Sequence, residues 1–160
     1  MFIKPDQLIL LVEDNPEDYQ ATVRSLRRAG LANPIFHCED GDQALGFVFR
    51  RGQFSPPCDV PRPGLILLDL NLPGTDGRAV LEEIRRGGEL ATIPVIVLTI
   101  SDDVHDIQEC YRAGASSYIK KPVDLAGYIQ AIQRLADFWF EIVVLPKPAE
   151  PSGPATAHCR

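Results

Sequence analysis

The stretch Leu65-Ile66-Leu67-Leu68-Asp69-Leu70-Asn71-Leu72-Pro73-Gly74 constrains this chain more than any other. Four apolar residues in succession leave no polar face, so they read as a strand buried on both sides, as in a parallel sheet covered by helices. Yet the strand ends in a carboxylate, Asp69, and Pro73-Gly74 turns the chain soon afterwards. Open parallel sheets bind their ligands beyond the carboxyl ends of strands, where the strand order reverses. Asp69 is expected at that edge.

The same pattern recurs along the chain. Leu8–Val12 is apolar and runs into Glu13-Asp14. Asn15-Pro16 opens a helix, with Glu17 and Asp18 favourable in its first turn and Gly30 ending it. Pro34–Cys38 reads as a short strand and Gly41–Arg50 as a helix. Four prolines (Pro56, Pro57, Pro61, Pro63) make 53–64 a surface loop, neither helix nor inner strand. A helix is expected from Asp76-Gly77 to Gly87-Gly88, then a strand from Ile93 to Thr99. Asp102 or Asp103 caps the next helix, which runs to Gly114. Ser117–Lys120 is the last strand, and Lys121-Pro122 leads to a final helix from about Asp124. Strands alternating with helices, and too apolar for one-sided burial, define an α/β domain with helices on both faces of a parallel sheet.

At 160 residues and 45% apolar, the chain has room for one domain with a real core. A net charge of −6 argues against nonspecific binding to nucleic acid, and no apolar run is long enough to span a bilayer. The four cysteines lack C-x-x-C spacing and, without a signal peptide, read as reduced cytosolic thiols. A zinc site from His37, Cys38 and Cys58 lacks recognisable spacing. His105 has no nucleophile partner, and no G-x-x-x-x-G-K-[ST] run exists for nucleotide binding.

The final helix carries two apolar stripes. Leu125, Ile129, Ile132, Ala136, Trp139 and Val143 form one; Tyr128, Leu135, Phe138, Ile142 and Leu145 form the other. One stripe suffices against a sheet, so the other calls for a partner. A homodimer through Tyr128, Leu135, Phe138, Trp139 and Ile142 is expected. The domain is taken as 1–145 with an extended final helix, and 146–160 as a disordered, Pro- and Ala-rich tail.

If the strand ends adjoin, Glu13, Asp14, Asp69, Thr99 and Lys121 face one small space. Like charges 4 Å apart repel by roughly 4 kcal/mol at an effective dielectric near 20. Such a cluster needs a cation, and carboxylate oxygens favour Mg²⁺.

These residues resemble the receiver domain of two-component response regulators, over about residues 7–140. The likeness rests on Glu13-Asp14, Asp69 with Asn71 and Pro73-Gly74, Thr99, Tyr118 and Lys121-Pro122, each at a strand end. It implies a flavodoxin-like doubly wound five-stranded sheet of order 2-1-3-4-5. It further implies that Asp69 accepts a phosphoryl group from a sensor histidine kinase. Mg²⁺ would be held by Asp14, Asp69 and the Asn71 backbone carbonyl, with Glu13 acting through a bound water. Lys121, preferred to Lys120 because it directly precedes Pro122, would pair with phosphoryl oxygens. The Lys121-Pro122 bond is often cis in this family. Thr99 would donate to a phosphoryl oxygen, and Tyr118 would fill the space that Thr99 leaves on moving inward. Ile100 is bulkier than the small residue common beside that threonine.

The Pro-rich insert and the ending Asp137-Phe138-Trp139-Phe140-Glu141-Ile142-Val143-Val144-Leu145-Pro146 resemble stand-alone regulators of bacterial phytochrome kinases. That implies a bacteriophytochrome partner and an α-helical dimer; the thiols without a signal peptide place the chain in the cytoplasm, and signalling is expected through protein contacts, with only self-phosphorylation and autodephosphorylation as chemistry. The rival is a haloacid dehalogenase-like phosphatase, which would want an acid two residues beyond the nucleophile, where this chain has Asn71. No DNA-binding module is visible.

Overall fold

The computed structural model describes residues 6–146. Five strands form one parallel sheet in the order β2-β1-β3-β4-β5: β1 (Leu8–Val12), β2 (Ile35–Cys38), β3 (Pro63–Asp69), β4 (Val95–Thr99) and β5 (Ser117–Lys120). The helices between and after them are α1 (Pro16–Arg28), α2 (Gly41–Phe49), α3 (Gly77–Arg86), α4 (Val104–Arg112) and α5 (Leu125–Asp137). This is the expected doubly wound α/β arrangement. The crossovers diverge at β1 and β3, which opens a crevice at their carboxyl ends.

Alternation along the strands builds two cores. Leu8, Leu10, Val12, Ile66, Leu68, Val95 and Val97 face α2 and α3 through Leu45, Phe47, Val48, Val80, Leu81 and Ile84. Ile9, Leu11, Leu65, Leu67, Ile96 and Leu98 face α1 and α5 through Leu26, Tyr128, Ile132, Leu135 and Trp139. Burying one such side chain contributes about 1.5–3 kcal/mol, which explains why the central strands tolerate no polar residue before their ends.

Each helix starts on a side-chain cap. Asn15, Asp40, Asp76, Asp103 and Asp124 accept from backbone N–H groups of the first turns of α1 to α5. Of the two candidates before α4, Asp103 is the cap. The turn after Asp69 is tight enough to need glycine twice. Gly74 sits at φ +70°, and a Cβ on Gly77 would lie 2.3 Å from the Asp69 carbonyl oxygen.

Three expectations need correction. β3 begins at Pro63, paired with Leu8, because proline is tolerated as the first residue of a strand; the loop is therefore shorter than 53–64 and opens with a 3₁₀ turn, Gly52–Phe54. Cys38 and Cys110 are free and buried, but Cys58 is disulfide-bonded. Missing C-x-x-C spacing argues against a metal or redox pair, not against a disulfide. The cis X-Pro bond among the described residues is Pro56-Pro57, so Lys121-Pro122 is trans.

The last helix also departs from its expected pattern. It leaves α geometry at Phe138 for a π turn, Phe138–Ile142, in which Val143 N–H donates to the Phe138 carbonyl. The wider turn rotates the following side chains, so Trp139 and Phe140 are both buried and Leu145 folds back into the core beside them. Leu125, assigned to the sheet side, is exposed. Tyr128, Leu135 and Trp139, expected at a dimer seam, are buried within the chain, whereas Phe138 and Ile142 stay exposed, with Val144 beside them. The expected tail, Lys147 to Arg160, lies outside the described residues.

Candidate functional site

The parallel register aligns the strand ends: Val12 pairs with Leu68, Asp69 with Leu98 and Thr99 with Lys120. The residues that follow β1 and β5 and those that end β3 and β4 therefore meet at one rim. Lys121 is at the centre. Its Nζ donates to Glu13 Oε2 at 2.6 Å, Asp18 Oδ2 at 2.9 Å and Asp69 Oδ2 at 3.1 Å. The other oxygens are held by backbone: Glu13 Oε1 accepts from Asn15 N–H and Asp69 Oδ1 from Asn71 N–H, both at 3.1 Å. Lys120, one residue earlier, faces away and pairs with Asp102 at the surface.

Glu13 is only 2% exposed, Asp69 7% and Lys121 5%, so these charges are tuned by burial as well as by each other. Burial pushes the Glu13 carboxyl up to about 7, although the hydrogen bond and charge of Lys121 pull it back. For Lys121, burial opposes the charge, but the hydrogen bond it donates to Glu13 and the charges of Asp69 and Glu13 outweigh it and hold the ammonium above its ordinary value. The lysine stays protonated. Behind Glu13, His37 donates from Nε2 to the Glu13 carbonyl at 2.7 Å and stacks on Tyr19. This pins the β1–α1 loop, and among the described residues His37 is not in a group placed to share an ion. Cys38 is buried and its thiol is pushed up to about 12.

Glu13, Asp14 and Asp69 each offer one oxygen within 4.8 Å of the others, with Asp14 on the exposed side. Among the described residues this is the acidic group able to share an ion. Three hard carboxylate oxygens without histidine or thiolate suit a divalent ion of the Mg²⁺ or Mn²⁺ kind.

Thr99 is fully buried at the end of β4, its Oγ1 accepting from Ser101 N–H at 3.3 Å. The Tyr118 hydroxyl donates to the Ser101 carbonyl at 2.9 Å, beneath the β4–α4 loop. Ile100 points outward, 68% exposed, and does not occupy that space. Sequence reading missed the clamp around this loop. Ser101 Oγ donates to Asp106 Oδ2 at 2.6 Å, and Asp106 accepts from Arg78 of α3. It also missed the contact of Asp18 with Lys121. The available signal was that Asp18 stands three residues after the Asn15 cap, on a helix that starts at the rim of the site. Ser101→Ala is expected to cost about 1 kcal/mol in urea denaturation and to speed amide exchange in the first turn of α4. Unchanged exchange there would show that the clamp does not order the loop.

A five-stranded sheet with a buried lysine set among carboxylates at its switch point defines the response regulator receiver domain. Residues 9–133 match that family, and the chain belongs to it. It is a signalling protein homologous to phytochrome response regulators. Response regulator Rcp1 from Synechocystis sp. is 37% identical over 142 residues, covering 89% of this chain and 95% of that protein. The crystal structure of the phosphorylated cyanobacterial phytochrome response regulator RcpA superposes with a TM-score of 0.82 at 34% identity, over 89% of this chain and 99% of that one. The Mn²⁺-bound form of Rcp1 gives a TM-score of 0.83 at 37% identity, over 88% and 99%. The haloacid dehalogenase alternative finds no support. Among the described residues no helix is long and apolar enough to cross a membrane.

Proposed function

We propose that Asp69 accepts a phosphoryl group from a phosphohistidine of a sensor histidine kinase, a bacterial phytochrome, and that the chain signals in the cytoplasm through protein contacts. A carboxylate oxygen of Asp69 attacks phosphorus in line. The P–O bond forms as the P–N bond to the kinase imidazole breaks, and the electron pair leaves with the imidazole. Lys121, already 3.1 Å from Asp69, meets the negative charge on the transferred oxygens. Thr99 donates its hydroxyl to one of those oxygens, and Tyr118 reports the change through the β4–α4 loop. Glu13, Asp14, Asp69 and the Asn71 carbonyl would hold Mg²⁺, which supplies charge neutralisation for the dianionic group. A second copy of the chain is a further partner, docking on the exposed Phe138 and Ile142.

The observation that carries this reading is the Asp69–Lys121–Glu13 cluster, with Asp14 beside it on the solvent side. Incubation with acetyl phosphate and Mg²⁺ is expected to add one phosphoryl group by intact mass. Asp69→Asn, or a chelator, should prevent the addition. Labelling of the Asn variant to the wild-type extent would place the acceptor elsewhere.

A further inference from the structure

An ammonium has three N–H donors, and those of Lys121 are all taken, by Glu13, Asp18 and Asp69. Asp18 differs from the other two partners. Its side chain is 37% exposed at the rim, and it is not among the carboxylates placed to share an ion. Local structure fixes it there. Asn15 Oδ1 accepts from Asp18 N–H at 3.0 Å, and Thr22 Oγ1 donates to the Asp18 carbonyl at 2.8 Å. Thr22 in turn shares a 2.6 Å hydrogen bond with the Tyr128 hydroxyl of α5. The first turn of α1 thus aims a carboxylate at the lysine, braced against the helix that follows it.

We propose that Asp18 is a positioning residue for phosphoryl transfer. It holds the third donor of Lys121 while Asp69 is free, and competes with the phosphoryl oxygens for that donor once Asp69 is esterified. The inference rests on the aspartyl phosphate reading. After transfer, the Asp69 oxygen that bonds phosphorus has lost its charge, and the negative charge lies on the phosphoryl oxygens. The donor that Lys121 gave to Asp69 passes to one of these oxygens, and a second contact needs the release of Glu13 or Asp18. Glu13 is sealed from solvent, so water cannot take the place of the lysine at its carboxylate. Asp18 is open to water, which can replace the lysine. The charge of Asp18 also faces the incoming anion. Asp18 therefore slows entry of the phosphoryl group and shortens its stay.

Wild type, Asp18→Asn and Asp18→Glu are each incubated with subsaturating acetyl phosphate and Mg²⁺. Intact mass follows the gain of label, and then its loss after the donor is removed. Asp18→Asn keeps the size and the acceptor oxygen but not the charge. It is expected to gain label about threefold faster and lose it about threefold more slowly, the scale of a partly exposed ion pair, with both differences shrinking in high salt. Asp18→Glu should remain near wild type. An acid that serves only the dipole of α1 would shift the urea midpoint and leave these kinetics alone. A labelled wild type with an unchanged or slower-labelling Asn variant overturns this inference alone. A wild type that takes no phosphoryl group overturns the aspartyl phosphate reading, and this inference with it.

Discussion

Lys121→Ala is expected to lower the folding free energy by about 3–5 kcal/mol at pH 8 with chelator present, the usual cost of stranding buried partners of an ion pair. Glu13 and Asp69 are both buried against this ammonium and would be left facing each other. The loss should depend on pH in a definite sense. The Glu13 carboxyl is already raised to about 7 by burial, against the pull of Lys121, and it rises further when the lysine is gone. A carboxyl whose folded value exceeds its unfolded value favours folding while it keeps its proton, and that advantage is lost as pH climbs from the unfolded value through the folded one. The variant should therefore be least impaired near pH 5 and most impaired above pH 7. Millimolar Mg²⁺ should restore more stability to the variant than to the wild type, because a dication among Glu13, Asp14 and Asp69 replaces the missing positive charge. Urea titrations at pH 5 and pH 8, with and without chelator, measure all three effects. A loss below about 1 kcal/mol at pH 8 without metal would mean that the cluster relaxes apart when the lysine is removed.

The sheet was legible because its strands have no polar residue to hide. Leu8–Val12 and Leu65–Leu68 are apolar at every position, which only a strand covered on both faces requires. The chemical residues were legible for the complementary reason. A carboxylate directly after such a run has to emerge at the sheet's carboxyl edge, as Glu13 and Asp69 do; Lys121 follows the mixed strand Ser117–Lys120 and was legible from its place before Pro122. What stayed hidden depends on contacts between elements. Asp18 reads locally as a first-turn acid, and its place after the Asn15 cap puts it at the rim without naming its partner, a lysine 103 positions away. The Ser101–Asp106–Arg78 clamp joins a loop, α4 and α3 in the same way. The end of α5 was misread for another reason. A period of 3.6 was carried through to Leu145, but the π turn at Phe138–Ile142 resets the phase, so a pattern that looked like two faces of one helix is one face plus a return.

That reset gives adjacent aromatic residues opposite expected behaviour. Trp139 is buried with Ile132, Leu135, Phe140 and Leu145 over the α1–α5 face of the sheet. Trp139→Ala is expected to cost about 3–5 kcal/mol, the range for emptying a large aromatic site in a core. Phe138 is half exposed and meets the Trp139 ring edge-on at a centroid distance of 6.0 Å. Phe138→Ala should cost only about 1 kcal/mol, mostly that aromatic contact. The proposed dimer is therefore tested at residues that leave the core alone. Removing the chain from Trp139 onward would strip Trp139, Phe140 and Leu145 from the core along with any interface. The double variant Phe138→Glu, Ile142→Glu instead places charge on the exposed patch while Trp139 stays in place. It is expected to scatter light as a monomer under conditions where the wild type scatters as a dimer, and to keep most of its urea stability. An unchanged dimer mass in that variant would move the seam elsewhere. A Trp139→Ala chain that unfolds at the wild-type midpoint would show that the return of the chain at Leu145, and not the tryptophan, closes this side of the sheet.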